Sequence, residues 1–251
     1  MRKRIRHTGK AGIGAMRIGL ASYRCENRNI EFNMSQIERA LIESKGKADV
    51  LCFGEAFLQG FDALCWDYVI DKDIAVELTS EAINQLRAWT AKYKISLIVG
   101  YIERDAEELY SSCVAIEGGE IVHNYRRISK GWKEYSKTDD HYQEGRDVVS
   151  FRLRGKEMTI ALCGDLWEYP ERFKTESLLI WPVYINFTID EWKSGTLDEY
   201  AEQAALASKD VLMINSIDSD PVNHGGSFHF REGRIIERIP FDEEGILIVE
   251  A

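Results

Sequence analysis

Three polar features stand at the ends of apolar runs in this chain, and together they hold the residue types that acyl transfer needs. Residues 53–61 read FGEAFLQGF and put Glu55 just past a short apolar strand. Residues 125–135 read YRRISKGWKEY and are dense in cations. Residues 160–171 read IALCGDLWEYPE and put Cys163 at the end of another apolar run, with Gly164 beside it. Taken singly, each is ordinary: a glutamate after a strand is usually solvated, a cysteine in an apolar run is usually filler, and a Lys/Arg cluster is usually a wet face. Taken together they supply a thiol nucleophile, a carboxylate base and a cation. A free thiol has a pKa of ~8.5 and is mostly protonated near neutrality, so it needs both a base and a nearby positive charge to attack an amide. Strand ends are also where α/β folds gather catalytic side chains.

Other chemistries lack their signatures. There is no GxSxG elbow and no HExxH, and the five histidines are not spaced with carboxylates or thiols as a zinc site requires. No phosphate-binding glycine loop follows a strand; Gly12 and Gly14 precede the first one.

The order glutamate, cation, cysteine resembles the nitrilase-like carbon–nitrogen hydrolases. GEAFLQGF is similar to that family's motif around its catalytic glutamate, and LCGDLWEYPE to its nucleophile motif. EYAEQAALASKDVLMINS and GGSFHFREGRIIERI resemble its late helix, strand and closing hairpin, so the likeness spans 16–251. The resemblance implies an α/β fold, a four-layer α-β-β-α sandwich, in a symmetric homodimer that uses no metal or organic cofactor. It implies hydrolysis of a non-peptide carbon–nitrogen bond in a small amide or carbamoyl compound through a thioester on Cys163. Nitrile hydrolysis with the same triad and a catalytically silent binding module are the alternatives. Glu55 would be the acid/base, Cys163 the nucleophile, and backbone N–H groups around Gly164 would help bind the oxyanion. Two departures stand out. The family usually shows Tyr-Arg-Lys where this chain has Tyr125-Arg126-Arg127, and Pro170-Glu171 fall one position late. The lysine role is therefore open among Arg127, Lys130 and Lys133. Lys133 is the expectation, because Trp132 and Glu134 flank it and Glu134 would serve as the family's second glutamate. Trp167 and Tyr184 are expected to line the substrate cleft.

The elements around these features alternate. Strands are expected at 16–21, 50–53, 95–101, 111–116, 121–126, 148–153, 158–162, 178–181, 211–215 and 246–249, with hairpins at 117–120, 154–156 and 232–233. A helix capped by Asn33 or Ser35 carries Ile37, Ala40 and Leu41 on one face, one capped by Thr79 or Ser80 carries Ile83, Leu86, Trp89 and Tyr93, and a third covers 197–207. Connections at 56–70, 135–146 and 184–196 are long enough to suggest function.

The 251 residues, 45% hydrophobic, suit one large domain at 16–251. Residues 1–15 are basic and glycine-bearing without an apolar segment, and read as an unstructured leader rather than a secretory signal. A net charge of −10 disfavours nucleic-acid and anionic-membrane partners. Five cysteines without CxxC spacing read as a reduced, cytoplasmic inventory, with Cys52 and Cys113 as small buried hydrophobes.

Overall fold

Runs that are apolar on both faces build two six-stranded sheets that pack against each other. The computed structural model describes residues 15–251; the leader proposed at 1–15 lies outside the described residues except for Ala15. Along the chain the strands are β1 (Arg17–Ser22), β2 (Val50–Cys52), β3 (Ser96–Asp105), β4 (Glu108–Glu117), β5 (Glu120–Arg126), β6 (Phe151–Leu153), β7 (Lys156–Ile160), β8 (Leu178–Val183), β9 (Asp210–Asn215), β10 (Ile217–Ser219), β11 (Val222–His224), β12 (Phe228–Arg231), β13 (Arg234–Arg238) and β14 (Gly245–Glu250). The first sheet runs β14-β1-β2-β3-β4-β5 and the second β13-β12-β9-β8-β7-β6, with β10 and β11 as a separate pair. Both large sheets have a parallel centre, β1-β2-β3 in one and β7-β8-β9 in the other, flanked by antiparallel edges.

Period-two alternation sorts the side chains into layers. Ile18, Leu20, Val50, Cys52 and Ile98 face the second sheet. Their neighbours Ala21, Leu51, Phe53, Leu97 and Val99 face the helices Ile30–Glu43 and Glu81–Tyr93, which bury Ile37, Leu41, Ile83 and Leu86. On the far side, the helix Leu197–Ala207 lays Tyr200, Ala201 and Ala204 on the second sheet. The fold is thus the four-layer α-β-β-α sandwich expected. Cys52 and Cys113 are fully buried between the sheets, and the described cysteines are all free thiols.

Local differences have physical reasons. The first helix starts a turn before the expected caps, at Asn29, whose side chain accepts from the Phe32 N–H. Asn33 is buried instead and bonds the backbone of Glu26 and Leu58, tying the loop after Glu55 to the helix. Strands β3 and β4 extend through a tight turn at Ala106-Glu107 into residues that look like polar loop. The charges there satisfy one another: Glu103 is 1% exposed and accepts from Ser112, Asn124 and Arg126. No helix among the described residues is long and apolar enough to cross a membrane.

Candidate active site

Cys163 follows β7 at its C-terminal end. Its φ of +38° is left-handed, a strained conformation for a residue with a side chain, which costs about 1–3 kcal/mol unless the surroundings hold it. Here they do. The Cys163 N–H donates to the Pro182 carbonyl at 3.0 Å, and the Trp181 indole N–H donates to the Cys163 carbonyl at 2.9 Å. The turn Asp165–Glu168 follows at once. The result is a tight elbow that leaves the cysteine partly exposed, its thiol directed toward the Tyr184 carbonyl at 3.8 Å.

Glu55 reaches the same place from the other sheet. Its N–H donates to the Val183 carbonyl at 3.2 Å, so Cys163 and Glu55 hang from successive carbonyls of β8. The close approach of its segment to β3 explains Gly100, where a Cβ would fall 2.3 Å from the Gly54 oxygen and 2.8 Å from the Glu55 Cα. Glu55 is 1% exposed. Its Oε1 accepts from the Ser111 hydroxyl at 2.8 Å and from Arg127 Nη1 at 2.9 Å, whereas Oε2 is buried without a hydrogen-bond partner among the described residues.

The cation beside this carboxylate is Arg127, which corrects the expectation for Lys133. The Lys133 ammonium is taken up elsewhere, by the Tyr142 carbonyl and the Glu144 carboxylate. Arg127 is 3% exposed, and each guanidinium nitrogen has an acceptor: Nε gives to the Ser129 hydroxyl at 2.8 Å, Nη1 to Glu55, and Nη2 to the Lys130 carbonyl at 2.9 Å. The several partners that a buried guanidinium needs are therefore all present. Burial works against its charge, but Glu55, Cys163 and Asp165 outweigh that and hold its pKa above the arginine range. Lys130 contributes its carbonyl, and its side chain is exposed. Glu134 is exposed and bonds Ser136, so it does not serve as a second glutamate beside the cation.

Asp165 locks the two loops together. Its Oδ1 accepts from the Ile128 and Ser129 N–H groups at 3.1 and 2.8 Å, and its Oδ2 from the Leu162 N–H and the Tyr125 hydroxyl at 2.7 and 2.6 Å. Burial raises this carboxyl's pKa, opposed by Arg127 and by those donors. Burial also pushes the Cys163 thiol up to about 12, with Glu55's charge adding to the effect and Arg127 opposing it. These causes favour the protonated Cys163 thiol over a free thiolate.

The remaining expected residues have contacts of their own. Tyr184 is buried, its ring stacked on Phe61 at 4.5 Å and its hydroxyl bonded to Asp62 and Asp218. Trp167 is 42% exposed and meets Tyr200 edge-on at 4.9 Å. Gly164 has φ −62° and ψ −12°, ordinary helical values, so its backbone does not call for glycine. Sequence reasoning gave no role to Ser111, Ser129, Gly100 or the Trp181 indole. Only Asp165 had a readable signal, its place two residues after the cysteine in the quoted motif. Among the described residues no group of three or more His, Cys, Asp or Glu side chains is placed to hold a metal ion.

The carbon–nitrogen hydrolase family model matches residues 17–251, nearly all of the described chain. The chain belongs to the carbon–nitrogen hydrolase family. Its fold is shared with a CN-hydrolase superfamily protein of Xanthomonas campestris, solved with an arsenic adduct in its active site (TM-score 0.77, 15% identity, 94% of this chain and 90% of that one). An amidase of Nesterenkonia AN1 from the nitrilase superfamily is equally similar in structure (TM-score 0.77, 18% identity, 95% and 91%). In sequence, the chain is 23% identical over 172 residues to a glutamine-dependent NAD(+) synthetase of Thermotoga maritima, covering 65% of this chain but 28% of that protein. The chain thus spans little more than a quarter of that relative's length.

Proposed function

We propose that the chain hydrolyses the carbon–nitrogen bond of a small amide or carbamoyl compound, with Cys163 as nucleophile, Glu55 as acid/base and Arg127 as the cation. The observation that carries this reading is the state of Glu55. One oxygen is fixed by Arg127 and Ser111, while the other is buried, unpartnered and free to accept a proton. A buried carboxylate oxygen left without a donor costs stability, and such costs concentrate where chemistry needs them.

In this reading the reaction has two halves, acylation of the thiol and hydrolysis of the thioester. The Cys163 thiol proton passes to Glu55 Oε2 as sulfur attacks the carbonyl carbon, so the thiolate need never accumulate. The oxyanion is stabilised by the Arg127 charge and by backbone N–H groups around Gly164. The carbon–nitrogen bond then breaks as Glu55 gives its proton to the leaving amine. Water attacks the thioester, its proton goes to Glu55, and the carbon–sulfur bond breaks to return the thiol and release the acid. The related Nesterenkonia amidase supports a thiol route, since a variant of it carries the acetamide moiety of fluoroacetamide added covalently at the active-site cysteine.

A second reading is favoured by one observation. The buried Arg127–Glu55 ion pair ties up the base, as it would in a silent binding module. A screen of amides, N-carbamoyl compounds and nitriles for ammonia release separates the two. Turnover that disappears in Cys163→Ala supports hydrolysis and identifies the bond type. A screen with no release from any class, on folded protein whose thiol is titratable, leaves the binding module standing.

A further inference from the structure

We infer that Gly164 and Arg127 are a matched pair: the glycine after the nucleophile is what makes room for a guanidinium in the cation's place. The inference rests on the reading that Arg127 is the active-site cation and adds a positioning role for Gly164.

Three observations carry it. First, the glycine is not needed for its own backbone, because φ −62° and ψ −12° suit any L residue. Second, a Cβ at Gly164 would lie 2.5 Å from Arg127 Nη2, 3.5 Å from its Cζ and 3.1 Å from the Ser129 hydroxyl that holds Nε. Real Cβ atoms do not come that near, so something must move. Third, the guanidinium is not a loose side-chain end. Its three nitrogens are tied to Ser129, Glu55 and the Lys130 carbonyl, and 97% of the residue is removed from solvent. An alanine methyl group therefore dislodges the charge or breaks one of those bonds.

The same contacts explain why the cradle fits an arginine. A lysine would bring one nitrogen to a place built with three separated acceptors, and would leave the Lys130 carbonyl or the Ser129 hydroxyl without its donor. An ammonium in its stead would not occupy the Nη2 position, which leaves a methyl group at residue 164 only the 3.1 Å contact with the Ser129 hydroxyl, and that hydroxyl, no longer held by Nε, can turn aside. Room at 164 and a guanidinium at 127 thus depend on each other.

The test is a double-mutant cycle on the full chain with G164A, R127K and R127K/G164A. The first readout is the rate at which iodoacetamide alkylates Cys163 at pH 9, followed by peptide mapping so that exposed Cys65 does not interfere. The alanine keeps the N–H of residue 164, so its effect in the R127K background reports only the bulk of the methyl group. G164A should slow alkylation at least fivefold beside Arg127, and change it less than twofold in the R127K background. Equal penalties in the two backgrounds would overturn the inference. If G164A does not fold, the comparison moves to thermal stability: an R127K/G164A protein as stable as R127K supports the pair, and one that also fails to fold overturns it. Ammonia release from any amide found to turn over is the second readout, expected to show the same non-additivity. Because alkylation needs no substrate, coupling without turnover would count against hydrolysis alone, and turnover without coupling against the matched pair alone.

Discussion

Asp165→Asn isolates the buried carboxylate that joins the nucleophile elbow to the arginine loop. The side chain keeps its shape but exchanges one acceptor oxygen for an NH2 group. All four neighbours of the carboxylate are donors: the N–H groups of Ile128, Ser129 and Leu162 and the Tyr125 hydroxyl. The best orientation of the amide keeps its oxygen on Ile128 and Ser129. The Tyr125 hydroxyl can then turn to accept from the new NH2, but the Leu162 N–H faces a donor and loses its partner. One orphaned buried N–H costs about 1–3 kcal/mol, and the loss of charge assistance in the remaining bonds brings the total to about 2–4 kcal/mol. For a domain of this size each kcal/mol moves Tm by ~2–4 °C, so the variant should melt roughly 4–16 °C lower. Asp165→Ala, which strands all three backbone N–H groups, should fall further still. Thermal melts followed by circular dichroism read this directly. A shift smaller than about 2 °C for Asp165→Asn would show that the four bonds add nothing to stability and that the loops are held by other contacts.

Three further outcomes are expected. Cys163→Ala should abolish ammonia release while its circular dichroism spectrum stays unchanged; residual turnover would remove the cysteine from the mechanism. Glu55→Gln should lose activity and also stability, by about 1–3 kcal/mol in denaturant titration, because Arg127 loses its buried counter-charge and an amide NH2 takes the place of the unpartnered oxygen. Alkylation of Cys163 by iodoacetamide should be slow at pH 7 and rise ~10-fold per pH unit up to pH 10, since a thiol raised to about 12 is still protonated throughout that window. A plateau below pH 9 would mean the resting site already holds a thiolate.

Much of the scaffold was legible because its strands are apolar in ways that only buried sheets explain. Helix 197–207 and the cap at Ser80 appear as the sequence implies. The β3-β4 turn did not, because charged residues such as Glu103 read as loop when their partners on neighbouring strands cannot be seen. The same blindness governed the cation. Arg127 stands where the resemblance calls for lysine, yet the flanking Trp132 and Glu134 pointed to Lys133. What reverses the choice is three-dimensional: a hydroxyl at Ser129, a carbonyl at Lys130 and an empty volume above Gly164 converge on one guanidinium. None of these has a sequence signature, since a serine or glycine looks the same whether or not an arginine leans on it. Cys163 and Glu55 stand out in the sequence because their flanks form recognisable motifs at strand ends.

Glu55 and Cys163 follow strands of different sheets, β2 and β7, so the distance between them answers to how far apart the two sheets stand, with one backbone bond from each to β8 as a tether. That spacing is governed by the interior, where the two small thiols Cys52 and Cys113 lie buried between them. Reactivity here should therefore be adjustable from a distance. A bulkier residue at either thiol would push the sheets apart like a shim, lengthening the distance from the Cys163 sulfur to the Glu55 carboxylate while leaving both side chains in their native sequence.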